Sequence, residues 1–435
     1  MRTRILPGPG PAATRRALIL GGAGTAVLIA APGNAGAPPA AGATTRWTGT
    51  WTTATTAAPP GQAVLPAGCT VRQVVHLSIG GDQPRIRLSN AYGTEPVHVG
   101  EVWAGIRAGG PAGCAMFPET IRPVTFRGRT AVLLRAGGEA VSDPVPGMPL
   151  QPGADLVIGF HLPERTRAGT VSPRSFQHNR VLTGNLAAAP APSGGAALGR
   201  YVLLGGVSVR TAGPSSAVVA FGDSITCGSQ TEEDANHRWP DRLASRVRAG
   251  GLPVGVLNAG IGGNRLLSGP DVGLPEAGGG SGPATVDPAA DRGSGPAGLR
   301  RFRHDVLTQP GVTHLITLIG VNDIGAGAGA EELIAGHRDL IARGRAAGLT
   351  VLGGTLLPFG GSSYDRGDHR VVRATLNDWI RNSGEFDAVV DFDAAIRDGS
   401  RPDRMWPGYD SGDHLHPNDA GMLALASAVP LLLLG

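Results

Sequence analysis

The chain has 435 residues, 69 of them glycine and 36 proline, which is long enough for two or three domains with sizeable cores and rich in loops. It contains no lysine, so its 38 basic residues are all arginine, against 34 acidic ones. Arg2, Arg4, Arg15 and Arg16 precede residue 38 with no acid among them; the net charge of +4 therefore belongs to that stretch, and the neutral remainder gives no support to a nucleic-acid partner.

Those four arginines have a more direct explanation. "TRRALIL", starting at Thr14, sets a twin-arginine pair before "ALILGGAGTAVLIAA". An apolar run of that length is short for a membrane span, which needs roughly 20 residues. "AGA" at 35–37 suits a small-residue cleavage site. Residues 1–37 therefore read as an export signal of the twin-arginine type, with a transmembrane anchor as the alternative, and the mature protein is expected to be secreted without a stable membrane span. Export makes a disulfide between Cys69 and Cys114 permissible, although spacing alone cannot show that they meet. Cys227 would then be left over, as a small buried apolar side chain.

From 46 to 210 the pattern is short, β-rich and punctuated by turns. "TVRQVVHLSIG", "QPRIRLSNAYG", "VHVGEVWAGI" and "DLVIGFHLP" alternate or run apolar between Gly, Pro, Asn and Asp. An antiparallel, sandwich-like all-β domain is expected there, with the low-complexity stretch 187–199 as a surface loop. From Ser215 the texture changes. Apolar strands at 217–222, 254–259, 314–320, 350–358 and 388–393 alternate with helical stretches, which predicts a parallel sheet with helices on both faces over 215–435. A helix near 330–343 places Leu333, Ile334, His337, Leu340 and Ile341 on one face, with His337 satisfied internally or at the solvent edge. The Gly- and Pro-rich stretch 268–298 interrupts the alternation as a flap or a disordered insertion.

Four segments carry chemistry. They are "FGDSITCG" (221–228), "NAGIGGNR" (258–265), "GVND" (320–323) and "SGDHLHPNDAG" (411–421), and three of them fall at predicted strand ends, where side chains face the crevice of an open α/β sheet. Ser224 is a weak nucleophile unless a base takes its proton, and His416 is the candidate base. Asp413 lies three residues earlier, so one turn can bring its carboxylate to the imidazole, fix the tautomer and stabilise the imidazolium. Other readings exist. Asp223 or Ser224 could simply cap a helix. His414 and His416, with Asp410, Asp413 and Asp419, could form a metal site. Thr226 stands where Gly-x-Ser-x-Gly would need its second glycine, which argues against an α/β-hydrolase elbow. Asp223 and Asp323 read as loop-holding groups, and Trp239 as packing beside a helix started by Pro240.

Taken in order, the four segments resemble the blocks of the SGNH, or GDSL, hydrolase family over about half the chain, roughly 215–435. "LIGVNDIG" and "YDSGDHLHPNDAG" are similar to the XynE-like branch, whose members are thought to act on plant polysaccharides. The resemblance implies a three-layer α/β/α, flavodoxin-like catalytic domain preceded by the all-β domain. It implies a Ser224–His416–Asp413 triad and an oxyanion hole from the Ser224 N–H, the Gly260 N–H and the Asn322 amide, with no metal or cofactor. The expected activity is that of a secreted serine esterase cleaving short acyl esters, acetyl foremost, on small molecules or polysaccharides. The alternatives are a lipase, lysophospholipase or acyltransferase on the same residues, or an inactive glycan-binding protein of the cell wall.

Overall fold

The computed structural model describes residues 47–59, 64–110, 113–270, 285–286 and 292–435. The expected export segment lies outside these residues, as does most of the 268–298 insertion. The stretch Thr45–Gly435 clusters as one compact unit.

Its N-terminal part is all β. Strands β1 (Trp47–Thr52), β2 (Cys69–His76), β3 (Asp82–Ser89), β4 (Glu101–Ala108), β5 (Glu139–Val141), β6 (Asp155–Leu162), β7 (Asn179–Thr183) and β8 (Leu204–Arg210) make up most of it. One antiparallel sheet runs β1-β8-β3-β5, and a second has β7-β2-β6-β4 at its centre. Alternation sends Trp51, Ile86, Leu88 and Val207 of the first sheet and Val71, Val102, Leu156 and Phe160 of the second into one core. That alternation also decides the cysteines. Cys69 faces this core, Cys114 lies with Val74, Met116 and Val157 in a separate cluster, and all three cysteines are free thiols. The stretch 187–199 is not wholly a loop, because Ala196–Leu198 pairs with β7. Arg72, fully buried, holds the approach to it by donating to the carbonyls of Leu186, Ala187 and Ala189.

Five parallel strands follow: β9 (Ser216–Gly222), β10 (Val254–Gly260), β11 (Val312–Leu318), β12 (Thr350–Gly354) and β13 (Ala388–Val390). They lie in the order β10-β9-β11-β12-β13, so the chain steps outward from β9 to β10 and then returns to lay β11 on its other side. The crevice at such a reversal, beyond the carboxyl ends of the strands, is where open α/β sheets bind ligands. Helices α1 (Ser224–Cys227), α2 (Trp239–Ala249), α3 (Gly298–Phe302), α4 (Val321–Gly325), α5 (Ala330–Ala346), α6 (His369–Asn382), α7 (Phe392–Ile396) and α8 (Asp419–Ala428) connect or follow the strands. Leu243 of α2, Leu340 of α5, Leu376 of α6 and Leu425 of α8 all bury into the core that holds Phe221, Leu257 and Ile316 of the sheet. Each contributes on the order of 1.5–3 kcal/mol by leaving water. His337 is not at the solvent edge. It is buried against the rings of Trp379 and Phe386, and burial pulls it down to about 4, so it is neutral.

The expected strand at 350–358 ends at Gly354. Beyond it the chain stays buried but leaves the ladder, and the Leu356 N–H goes to Asn377 Oδ1 at 2.7 Å. The expected strand at 388–393 likewise gives way to α7, whose N-cap Asp391 accepts from Ala394. Among the described residues no helix is long and apolar enough to cross a membrane.

Candidate active site

β9 ends at Gly222, and Asp223 caps α1 by accepting the Ile225 N–H at 3.0 Å. Gly222 serves by its size: it lacks a positive φ, but a Cβ there would lie 2.2 Å from Thr226 Oγ1 and 2.5 Å from the Leu318 carbonyl. The turn of helix so formed starts with Ser224. At the far end of the sequence, Asp413 folds its own loop. Its Oδ1 accepts the backbone N–H groups of Leu415 at 2.9 Å and His416 at 2.8 Å, and its Oδ2 meets His416 Nδ1 at 2.6 Å. Burial would raise the Asp413 carboxyl, but these donors outweigh it and hold the group well below the usual carboxylate range. His416 Nε2 lies 2.8 Å from Ser224 Oγ. A serine hydroxyl, an imidazole and an ionised carboxylate thus stand in one line, and such a line can move a proton off a hydroxyl and return it to a leaving group.

The candidate oxyanion donors are placed differently. The Gly260 N–H already donates to Asn258 Oδ1 at 2.9 Å, so Gly260 is not an available donor. Its lack of a side chain is what matters, since a Cβ would lie 2.2 Å from the Cys227 nitrogen. Asn258 completes the link by donating from Nδ2 to the Thr226 carbonyl at 2.8 Å, which ties the end of β10 to α1. Asn322 sits in α4 at the end of β11, after Gly320 with φ 132°, a conformation that favours glycine. Its Nδ2 donates to the Asn264 carbonyl at 2.9 Å, which leaves the second amide N–H for a ligand. Its Oδ1 accepts the Tyr364 hydroxyl at 2.9 Å.

Asp223 and Asp323 hold loops. Asp323 accepts the N–H groups of Leu266 and Leu267 at 2.8 and 2.9 Å, and burial raises Asp223 to about 7 and Asp323 to about 6. Trp239 is fully buried against Phe392, with Pro240 in the first turn of α2. The "HLH" histidines are separated by their partners, because His414 pairs with Asp410 while His416 pairs with Asp413. Among the described residues the group with metal-ligand proximity is Glu232, His237 and Asp419, whose ligand atoms lie within 4.8 Å of one another. His237 Nδ1 there already bonds Asp419 Oδ2. A cavity of about 450 Å³ lies beside this group, lined by Gln230, Thr231, Glu232, Asn418, Asp419 and Ala420.

Two residues escaped the sequence reading. Arg301, fully buried, donates to the carbonyls of Gly222 and Ala259, both at 2.8 Å, and to Asn264 Oδ1 at 2.9 Å, and it pairs with Asp305 at 2.8 Å. It therefore clamps the ends of β9 and β10, the first of them two residues before Ser224. Tyr364 is the other, reaching Asn322 from the chain between β12 and α6. Neither lies in a recognisable motif.

These groups stand together beyond the carboxyl edge of the parallel sheet, at the point where its strand order reverses. Residues 220–424 match the GDSL-like Lipase/Acylhydrolase family, and over this region the chain belongs to the SGNH/GDSL hydrolases. Solved structures resembling it include an inhibitor-bound aryl esterase of M. smegmatis (16% identical, covering 51% of this chain and 100% of that one, TM-score 0.37). A carbohydrate acetylesterase family member from Sinorhizobium meliloti (14%, 50% and 97%, TM-score 0.36) and a GDSL-like lipase from Bacteroides thetaiotaomicron VPI-5482 (17%, 49% and 84%, TM-score 0.34) are also similar. No curated protein matches the chain.

Proposed function

We propose that the protein is an exported serine esterase that removes short acyl groups, acetyl foremost, from small-molecule or polysaccharide esters by way of an acyl-enzyme. The observation that carries this reading is the hydrogen-bonded line from Ser224 Oγ through His416 to Asp413, at 2.8 and 2.6 Å. Ser224 Oγ attacks the ester carbonyl while His416 Nε2 takes its proton. The tetrahedral intermediate collapses as His416 delivers that proton to the departing alcohol. Water then attacks the acyl-Ser224 ester, His416 again accepting a proton and returning it to Ser224 as the carboxylic acid leaves. Asp413 keeps the imidazole in the tautomer with Nε2 free to accept.

The negative charge on the intermediate calls for fixed donors. We assign these to the Ser224 N–H, the second amide N–H of Asn322 and, in place of Gly260, a backbone N–H of the loop 261–264, where Gly263 is exposed with φ 73°. The three-layer arrangement, the division into domains at 46–210 and 215–435 and export by the twin-arginine segment belong to the same proposal. Acetyl and polysaccharide preference rest on the sequence resemblance.

The test is turnover of p-nitrophenyl esters of increasing acyl length by the purified mature protein, with phosphonofluoridate labelling mapped by peptide mass. Turnover highest with acetate and label on Ser224 support the proposal. A rate that rises with acyl length makes the protein a lipase. Wild-type activity in Ser224→Ala overturns the mechanism.

A further inference from the structure

Asn322 is useful as an oxyanion donor only if its amide is held with the nitrogen turned to the substrate and its oxygen turned away. A carboxamide presents nearly the same shape when flipped, so its neighbours must decide. One neighbour is the Asn264 carbonyl, which requires an N–H and takes one of the two, at 2.9 Å. The other is the Tyr364 hydroxyl, which donates to Oδ1 at 2.9 Å. With both in place the amide is fixed at its oxygen and at one hydrogen, and a single N–H remains.

We propose that Tyr364 is a positioning residue for the esterase reaction, holding and polarising the Asn322 amide so that its remaining N–H is aimed at the oxyanion. The inference rests on the reading of Asn322 given above. Donation into the amide oxygen draws electron density from nitrogen and makes the outer N–H a better donor, the cooperative effect expected in a chain of buried hydrogen bonds. Burial, with Asp223 nearby, raises the phenol above its ordinary value of 10, so Tyr364 keeps its proton, and remains a donor, at neutral pH.

The fold makes room for this contact. Gly325 is three residues after Asn322 in α4 and so shares its face. A Cβ on Gly325 would lie 2.9 Å from Cε2 and Cζ of the Tyr364 ring. Glycine there lets the ring lie against the helix with its hydroxyl on Asn322. The backbone of Tyr364 is itself secured, its N–H donating to Ser362 Oγ at 3.1 Å and its carbonyl meeting His369 Nδ1 at 2.9 Å.

The experiment is a double-mutant cycle on p-nitrophenyl acetate with Tyr364→Phe, Asn322→Ala and the pair, reading kcat, KM and the melting temperature. Tyr364→Phe should lower kcat about 2- to 10-fold, the worth of one neutral hydrogen bond, and leave KM and melting nearly unchanged. In the Asn322→Ala background it should have no further effect on kcat, because the group it acts through is gone. Gly325→Ala, which displaces the ring but keeps the hydroxyl, should reproduce the loss. Wild-type kcat in Tyr364→Phe overturns the proposal while leaving the esterase reading intact. So does an equal loss in both backgrounds, since Tyr364 would then act independently of Asn322. Wild-type kcat in Asn322→Ala removes that residue from the site, and this proposal with it. Wild-type activity in Ser224→Ala, run alongside, separates that outcome from failure of the nucleophile itself.

Discussion

Replacing Arg301 by leucine should destabilise the whole fold, and the structure allows the loss to be sized. The guanidinium is fully buried, its carbon 4.0 Å from the centre of the Phe221 ring. Its loss leaves the Ala259 carbonyl and Asn264 Oδ1 short of a buried donor, while the Gly222 carbonyl keeps the Ile261 N–H at 3.2 Å. It also leaves Asp305 ionised. Burial raises that carboxyl, but His304 and Arg301 outweigh burial and lower it, and only His304 would remain. Breaking a buried pair from one side costs about 3–5 kcal/mol. His304 softens that term and the orphaned acceptors add to it, so about 4 kcal/mol is the expected total. With about 2.1 cal/mol/K per residue of unfolding entropy over roughly 390 residues, the slope is about 0.8 kcal/mol/K and the melting temperature should fall by about 5 °C. Calorimetry or circular dichroism on the purified variant measures it. Arg301→Leu/Asp305→Asn should recover part of the loss by removing the uncompensated charge. A single variant melting within 1 °C of wild type, or a double variant no better than the single, refutes the reasoning.

Asp413→Asn can keep its oxygen on the Leu415 and His416 N–H groups but presents the wrong partner to Nδ1, so kcat should fall about 10³- to 10⁴-fold in steady-state assays with little change in melting. Gly260→Ala drives a methyl group into the backbone of α1 and should cost at least about 1–3 kcal/mol in thermal unfolding as well as kcat; wild-type behaviour in both would contradict the packing described here. His304 is half-buried between Asp305 and Glu139; burial would lower it, but the two carboxylates outweigh that and raise it to about 10. Its contribution is therefore fully present below its ordinary value of 6.5 and is lost as the pH rises through about 10. The gap in melting temperature between wild type and His304→Gln should be widest near pH 6 and close toward pH 10, and a gap that widens with pH would refute the clamp.

Ser224, His416 and Asp413 were legible because their geometry is mostly local. Asp413 and His416 meet within one turn whose hydrogen bonds run between neighbours in sequence, and Ser224 follows directly from a strand end. Gly260 was misread for the opposite reason. Its side chain is absent in any reading, but whether its N–H is free depends on where Asn258 turns. Arg301 and Tyr364 were invisible because nothing near them in sequence marks them. Each matters through groups distant along the chain, Gly222 and Ala259 for one and Asn322 for the other. The strand at 350–358 was read too long because apolar character reports burial, and beyond Thr355, whose N–H still reaches the Val390 carbonyl, the chain is buried while its Leu356 N–H goes to a side chain instead of a neighbouring strand.

The all-β part carries none of the groups in the Ser224–His416–Asp413 line, yet the α/β part is incomplete without it. β10 is an edge strand, bonded to β9 on one side only, and an unpaired edge is a template for association. Here the open side is covered by β1 and the chain after β2. Ser78 Oγ accepts the Val256 N–H at 2.9 Å, and a Cβ on Gly255 would lie 2.1 Å from the Gly49 carbonyl, so the two backbones are in direct contact. The cover continues toward the site on two flanks. On one, Arg107 and His178 pair with Asp234, while Gln177 donates to Asn236, which holds the segment carrying Glu232 and His237. On the other, Glu139 meets His304 beside the Asp305–Arg301 pair that clamps the Gly222 and Ala259 carbonyls. Charge pairs that run from one sheet system into the other, and end at the Gly222 carbonyl two residues before the serine, couple its position to the packing of both parts. On this account the β region helps to hold still the strand end that leads into Ser224.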